Sequence, residues 1–267
     1  AEAQMRMLTR DQPTQAGYWL TQGALQLELR QPKDAEVSLQ RYLQAAAAQP
    51  EQAAAASDDD EEQDTFAEGG RTQAWLMLAQ AAELRGDSKA AASWLDKIDD
   101  PQRALEVQTR RATLLAKNGK VKEARALVQQ VPERKPEDAR AKLIAESQVL
   151  REIKRWPDAH AVLVSANDRF PSDIDLLYEQ AMMAEKISRM DEMERTLRRV
   201  IELKPDHHHA YNALGYSLAE RNQRLPEARD LIAKAVELAP NDPFIADSLG
   251  WVEFRLGNNA QALLHLK

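Results

Sequence analysis

The amino-acid sequence predicts an all-α solenoid of two-helix repeats, each about 34 residues long. Three observations predict it. Trp75, Tyr211, Leu214, Gly215, Ala228 and Pro240 fall into one repeating register. Small residues recur where two helix backbones must come closest: Ala79, Ala112, Gly215 and Gly250 at the eighth position of a unit, and Ala91, Ala124, Ala159, Ala228 and Ala262 in its second helix. Gly86, Gly119 and Gly257 fall between the two helices, where a positive φ costs glycine least. A single helix pair cannot bury its apolar faces, so neighbouring units must supply the core.

Taken in order, residues 1–15 carry the phase of a preceding second helix through Ala1, Met5, Leu8 and Pro13. Residues 16–49 form a repeat marked by Trp19 and by Ala35-x3-Leu39. Residues 50–71 interrupt the register and are expected to form an acidic inserted loop, preceded by an alanine-rich extension of the helix beyond Tyr42. The repeats 72–104, 105–139, 140–173 and 174–207 each end near a proline: Pro101, Pro136, Pro171 and Pro205. The fit is weakest at 174–207, where Met193 stands in place of the small alanine. The clearest repeat is 208–242, in which Tyr211-x2-Leu214-Gly215-x2-Leu218 precedes Ala228-x3-Ile232 and Pro240, with one extra residue in the turn near Leu225. Leu249-Gly250, Gly257 and Ala262-x3-Leu266 open a truncated repeat at 243–267. The sequence thus reads as a fragment of a longer array, one continuous superhelix, with any signal peptide or lipid anchor expected upstream of Ala1.

The chain resembles the tetratricopeptide repeat proteins over most of its length, most strongly at 72–104 and from 208 onward, which implies a right-handed superhelical solenoid. The stretch NALGYSLAERNQRLPEARDLIAKAVELAPNDPFIADSLGWVEFRLGN resembles the C-terminal repeats of bacterial outer-membrane tetratricopeptide lipoproteins, including an adaptor for a periplasmic C-terminal processing protease. That resemblance implies a periplasmic, outer-membrane-associated protein whose partners include such a protease and cell-wall hydrolases. Its alternatives are a docking scaffold for exopolysaccharide export and the targeting arm of a larger enzyme.

Composition narrows the function. A chain 43% hydrophobic and 30% charged, with only 9 glycines, is built from amphipathic helices. No cysteine is present, which excludes disulfides, thiolate metal sites and a cysteine nucleophile. Eight of the acidic residues, with no basic one, lie between Glu51 and Glu68; without them the net charge of −7 becomes +1. Near-neutral repeats argue against a groove for nucleic acid, which needs excess positive charge. Arg195, Arg198 and Arg199 fall on an outer second helix.

No Gly-x-Ser-x-Gly elbow, His-Glu-x-x-His or phosphate-binding glycine loop occurs, so neither a catalytic residue nor a cofactor is assigned. His207-His208-His209 reads as a polar start to a first helix. Consecutive helical residues diverge by about 100°, leaving His207 and His209 as the pair able to share an ion, and no metal site is assigned.

Function is then expected on the concave face, lined in this family by the second, fifth, ninth, twelfth and thirteenth positions of each first helix. These include Leu20, Ala24 and Leu27, then Leu76, Gln80 and Glu83, and further along Glu185, Glu220 and Arg255. In the last third, Tyr178, Met182, Tyr216 and Trp251 line up as an amphipathic strip across three repeats, with Asn212 and Asp247 one turn before the two aromatics. Aromatic and methionine anchors suit a protein or peptide partner. The competing reading is that Tyr216 and Trp251 pack between repeats.

Overall fold

A computed structural model describes the backbone of residues 1–48 and 60–265, and the side chains of 1–48 and 69–265. The described residues contain fifteen helices and no strand. They form two compact units, Ala1–Val131 and Pro132–Lys267.

The first unit contains α1 (Glu2–Asp11), α2 (Ala16–Glu28), α3 (Pro32–Ala48), α4 (Asp60–Leu84), α5 (Ser88–Leu95), α6 (Ala104–Lys117) and α7 (Val121–Gln129). The second contains α8 (Pro136–Glu152), α9 (Trp156–Arg169), α10 (Ile174–Lys186), α11 (Met190–Leu203), α12 (His208–Glu220), α13 (Leu225–Leu238), α14 (Pro243–Arg255) and α15 (Asn259–His265). Helices pack as antiparallel pairs, and first helices of successive repeats also meet, α2 with α4 and α12 with α14.

Two boundaries differ from the sequence reading. Part of the expected acidic loop is helical, because α4 begins at Asp60, while residues 49–59 lie outside the described residues. A helix N-terminus carries partial positive charge and favours acidic sequence, so an acidic run is compatible with either structure. In the second unit, α8 starts at Pro136, earlier than the repeat phase places it. Proline at the first helical position sacrifices no hydrogen bond. The Asp138 carboxylate accepts from the Arg134 and Lys135 amides at 2.8 and 3.1 Å, fixing that start.

Three other starts are capped by aspartate side chains. Asp87 accepts from Ala90 N, Asp173 from Leu176 N, and Asp242 from both Phe244 N and Ile245 N. Each satisfies donors that a helix N-terminus leaves unpaired. Between the helices of a pair the chain turns through one left-handed residue. Gly86, Gly119 and Gly257 have φ of 74°, 81° and 85°. Arg30, Lys154, Ser188 and Asn222 take the same region at 54–60° without being glycine. The longer turn before α13 holds the extra residue, and Arg224 there is a second left-handed residue at 45°.

The small residues lie where the backbones touch. A Cβ on Gly215 would meet Ile232 Cγ1 at 2.6 Å and the Ala228 carbonyl oxygen at 2.8 Å. Ala91, Ala124, Ala159, Ala228 and Ala262 are all buried, and Met193 fills its place with 2% exposure. In the second unit one buried cluster runs from Leu177 and Ala181 through Met193, Leu197, Leu214, Leu218 and Ile232 to Val252. In the first unit Trp75 and Trp94 each pack against two clusters, one around Leu76, Leu95 and Val107, the other around Leu27, Leu39 and Leu78. Leu27 and Leu76, placed by the sequence on the concave face, are therefore core. No described helix is long and apolar enough to cross a membrane.

Candidate functional site

Three first helices of the second unit, α10, α12 and α14, carry the six residues of the expected strip. Tyr178 and Met182 on α10 are half-buried against the core cluster. The Tyr178 ring lies 5.2 Å from that of His207 and 6.5 Å from that of His209. Burial first, then the charges of Glu179 and Glu185, push its hydroxyl pKa up, so the phenol stays protonated at neutral pH.

On α12, Asn212 is half-buried and its Oδ1 is enclosed with no hydrogen-bond partner among the described residues. One turn later Tyr216 is 38% exposed. Its hydroxyl pKa is pushed up by burial and then by the carboxylates of Glu220, Asp247 and Glu185. Three successive first helices thus each place an acidic group within electrostatic reach of one solvent-facing phenol.

On α14 the two residues behave differently. Asp247 is exposed, whereas Trp251 is half-buried and packs on the core cluster. The Trp251 ring stacks on Phe254 at 5.6 Å and the Arg255 guanidinium lies 5.5 Å from its centroid. Its Nε1 is buried without a partner among the described residues. Tyr216 and Asp247 therefore face solvent, while Tyr178, Met182 and Trp251 divide their surface between core and face.

Phe254 and Phe244, 53% and 79% exposed, were not singled out by the repeat pattern. Phe254 sits three residues after Trp251 and so on the same helix side, a signal that helical spacing alone provides. The Arg198 cluster is tied down: its guanidinium donates to Glu194 at 2.9 Å and to Glu227 at 2.6 Å. A second cleft, lined by Arg140, Ser147, Arg151, Asp175 and Glu179, is closed by its own charges. Arg140 donates to Asp173 and Asp175, and Arg151 to Glu179.

Comparison with known proteins fits this architecture. Residues 174–207 and 193–243 match tetratricopeptide repeat family models. A TPR repeat-containing protein of Pseudomonas aeruginosa is 35% identical over 190 residues, which is 71% of this chain but 32% of that protein. The chain accordingly spans about a third of the length of that relative. Among solved structures, a tetratricopeptide repeat protein from Parabacteroides merdae is 14% identical with a TM-score of 0.51, covering 73% of this chain and 77% of that one. That likeness concerns fold alone. A MamA double mutant is 20% identical over 61% of this chain and 90% of its own, at a TM-score of 0.49.

Proposed function

The chain is an array of tetratricopeptide repeats, and from that premise we propose that it is a non-catalytic protein-interaction scaffold whose partner docks across α10, α12 and α14. The carrying observation is Tyr216, an exposed aromatic in the field of Glu185, Glu220 and Asp247. An aromatic anchor gives contact area at low entropic cost, and carboxylates around it favour a partner segment that brings a basic side chain beside an apolar one. Phe254 and the stacked Trp251 extend the apolar part. Electrostatics set orientation and on-rate, while the aromatics supply most of the affinity.

The sharper reading is an adaptor of the Gram-negative envelope, anchored through an upstream segment, that recruits a periplasmic C-terminal processing protease and its cell-wall hydrolase substrates. It rests on the resemblance of the C-terminal repeats. The alternative reading is the targeting arm of a larger enzyme.

Capture from an envelope extract, with melting temperature measured beside it, tests the proposal. Tyr216→Ala is expected to cost about 1–3 kcal/mol of binding with little change in melting, while Arg198→Ala leaves capture unchanged. Full capture by Tyr216→Ala and Trp251→Ala variants that have both lost melting temperature would assign these rings to repeat packing. A captured protease or hydrolase supports the adaptor reading, and polysaccharide-synthesis components would favour an export scaffold instead.

A further inference from the structure

The histidine run that the binding surface does not use is arranged differently from the sequence reading. His207 is committed: it caps α12, its Nδ1 accepting from Ala210 N at 3.1 Å. His208 and His209 are the pair that converge, with ring centroids 4.1 Å apart. Helical divergence fails to separate them because both occupy the first turn of α12, where side chains lean past the helix end. The third member comes from the next repeat, whose first helix packs beside α12. Asp242 caps α14 and brings a carboxylate oxygen to the two imidazoles, so that one ligand atom from each of the three lies within 4.8 Å of the others.

We infer that His208, His209 and Asp242 form a divalent-cation site that clips the start of α12 to the start of α14. Two neutral imidazoles and one carboxylate are the donor set that borderline cations such as zinc accept, with a further position left open to water or a partner group. Tetrahedral zinc with bonds of about 2.0–2.1 Å needs ligand atoms about 3.4 Å apart. His208 is half-buried and His209 exposed, so both rings have room to rotate inward from their present spread. Asp242 is held in place, because its Oδ1 accepts from Phe244 N at 2.9 Å and Ile245 N at 3.3 Å while Oδ2 takes no part in the cap. The helix N-termini carry partial positive charge that opposes a cation, which limits affinity but leaves the geometry intact.

The test is calorimetric titration of the chelator-treated chain with zinc chloride alone, with hydrogen exchange measured with and without zinc. One equivalent is expected to bind and to slow exchange at the starts of both α12 and α14. His209→Gln and Asp242→Asn should each weaken binding ~10-fold or more. Asparagine retains a capping oxygen, so the second variant should keep its fold, checked by circular dichroism. His207→Gln should bind as the parent does. The inference is overturned by the absence of saturable binding, by unchanged affinity in both ligand variants, or by protection confined to α12.

Discussion

The two units use one repeat and hold its copies together differently. In Pro132–Lys267 the core is backed by polar links between successive repeats. Arg140 reaches Asp173, Arg198 reaches Glu227, and the Arg229 guanidinium donates to Glu253 at 2.6 Å. His160, 4% exposed, shares Glu192 with Gln180, and Asn167 donates to Gln180 and to the Leu176 carbonyl. In Ala1–Val131 tryptophans do much of this joining, Trp75 and Trp94 each bridging two apolar clusters. Arg85–Glu36 and Arg103–Gln73 add polar links there. A repeat period therefore fixes which residues face a neighbour without fixing whether the contact is apolar or ionic. The ionic choice adds directionality and makes stability depend on pH.

The largest expected effect comes from Gly215→Ala. The new methyl would press on a backbone carbonyl as well as on Ile232, and backbone cannot swing aside, so the loss should lie at the upper end of about 1–3 kcal/mol. Gly23→Ala in the first unit meets only the Leu39 side chain, at 2.6 Å, and should cost less. Denaturant unfolding of both variants measures the difference; equal losses would mean that the two helix pairs close equally tightly.

Acid comes next. Arg140 holds the Asp173 carboxyl below its usual range, and Arg224 does the same for Glu194. Burial alone raises Glu192 and Glu253, but hydrogen bonds from Gln180 and His160, and from Asn258 and Arg229, outweigh it and leave both lowered. A carboxylate lowered in the folded state contributes stability above its unfolded pKa of about 4, and that contribution disappears as pH falls through the folded value. Hydrogen exchange corrected for its intrinsic pH dependence should show acid-induced opening beginning in the second unit. Glu253→Gln should cost about 1–2 kcal/mol at neutral pH and reduce the acid sensitivity. Opening that begins in the first unit would mean the ionic links are not what sets the pH response.

The smallest effect lies in the turns. Lys154→Gly and Ser188→Gly relieve a left-handed φ and should stabilise by about 1 kcal/mol, whereas Gly86→Ala should lose about that much. Melting temperatures of the three variants, moving in opposite directions, check it.

The repeat spacing made the helix pairs legible because small residues and turn glycines mark geometry that only they tolerate. Gly215 and Gly86 could be read from their neighbours alone. The turns at Lys154 and Ser188 could not, since nothing about lysine or serine signals a left-handed φ, and only the register points to them. Polar pairs were less legible for a related reason: the register tells which face of a helix a polar residue occupies and not which partner on the neighbouring repeat it meets. Extended to His208 and Asp242, it would have paired the start of one first helix with the start of the next. Tyr216 and Trp251 occupy matching positions, yet one is exposed and the other packs on the core. Position gives the face of a helix, while the depth of a side chain depends on what the neighbouring repeat supplies.

The ion pairs that cross repeats also bear on how quickly the chain finds its structure. In the second unit, those described above join residues 24–35 positions apart, and Arg85–Glu36, which spans the acidic segment, joins residues 49 apart. Loop-closure entropy grows only with the logarithm of length, so the longer span adds only a few tenths of a kcal/mol. No step need search much beyond the adjoining repeat, a topology that favours rapid folding. Adding or deleting a repeat changes the number of such steps and leaves the difficulty of each nearly the same, which lets an array of this kind vary in length through evolution while each junction remains solvable on its own.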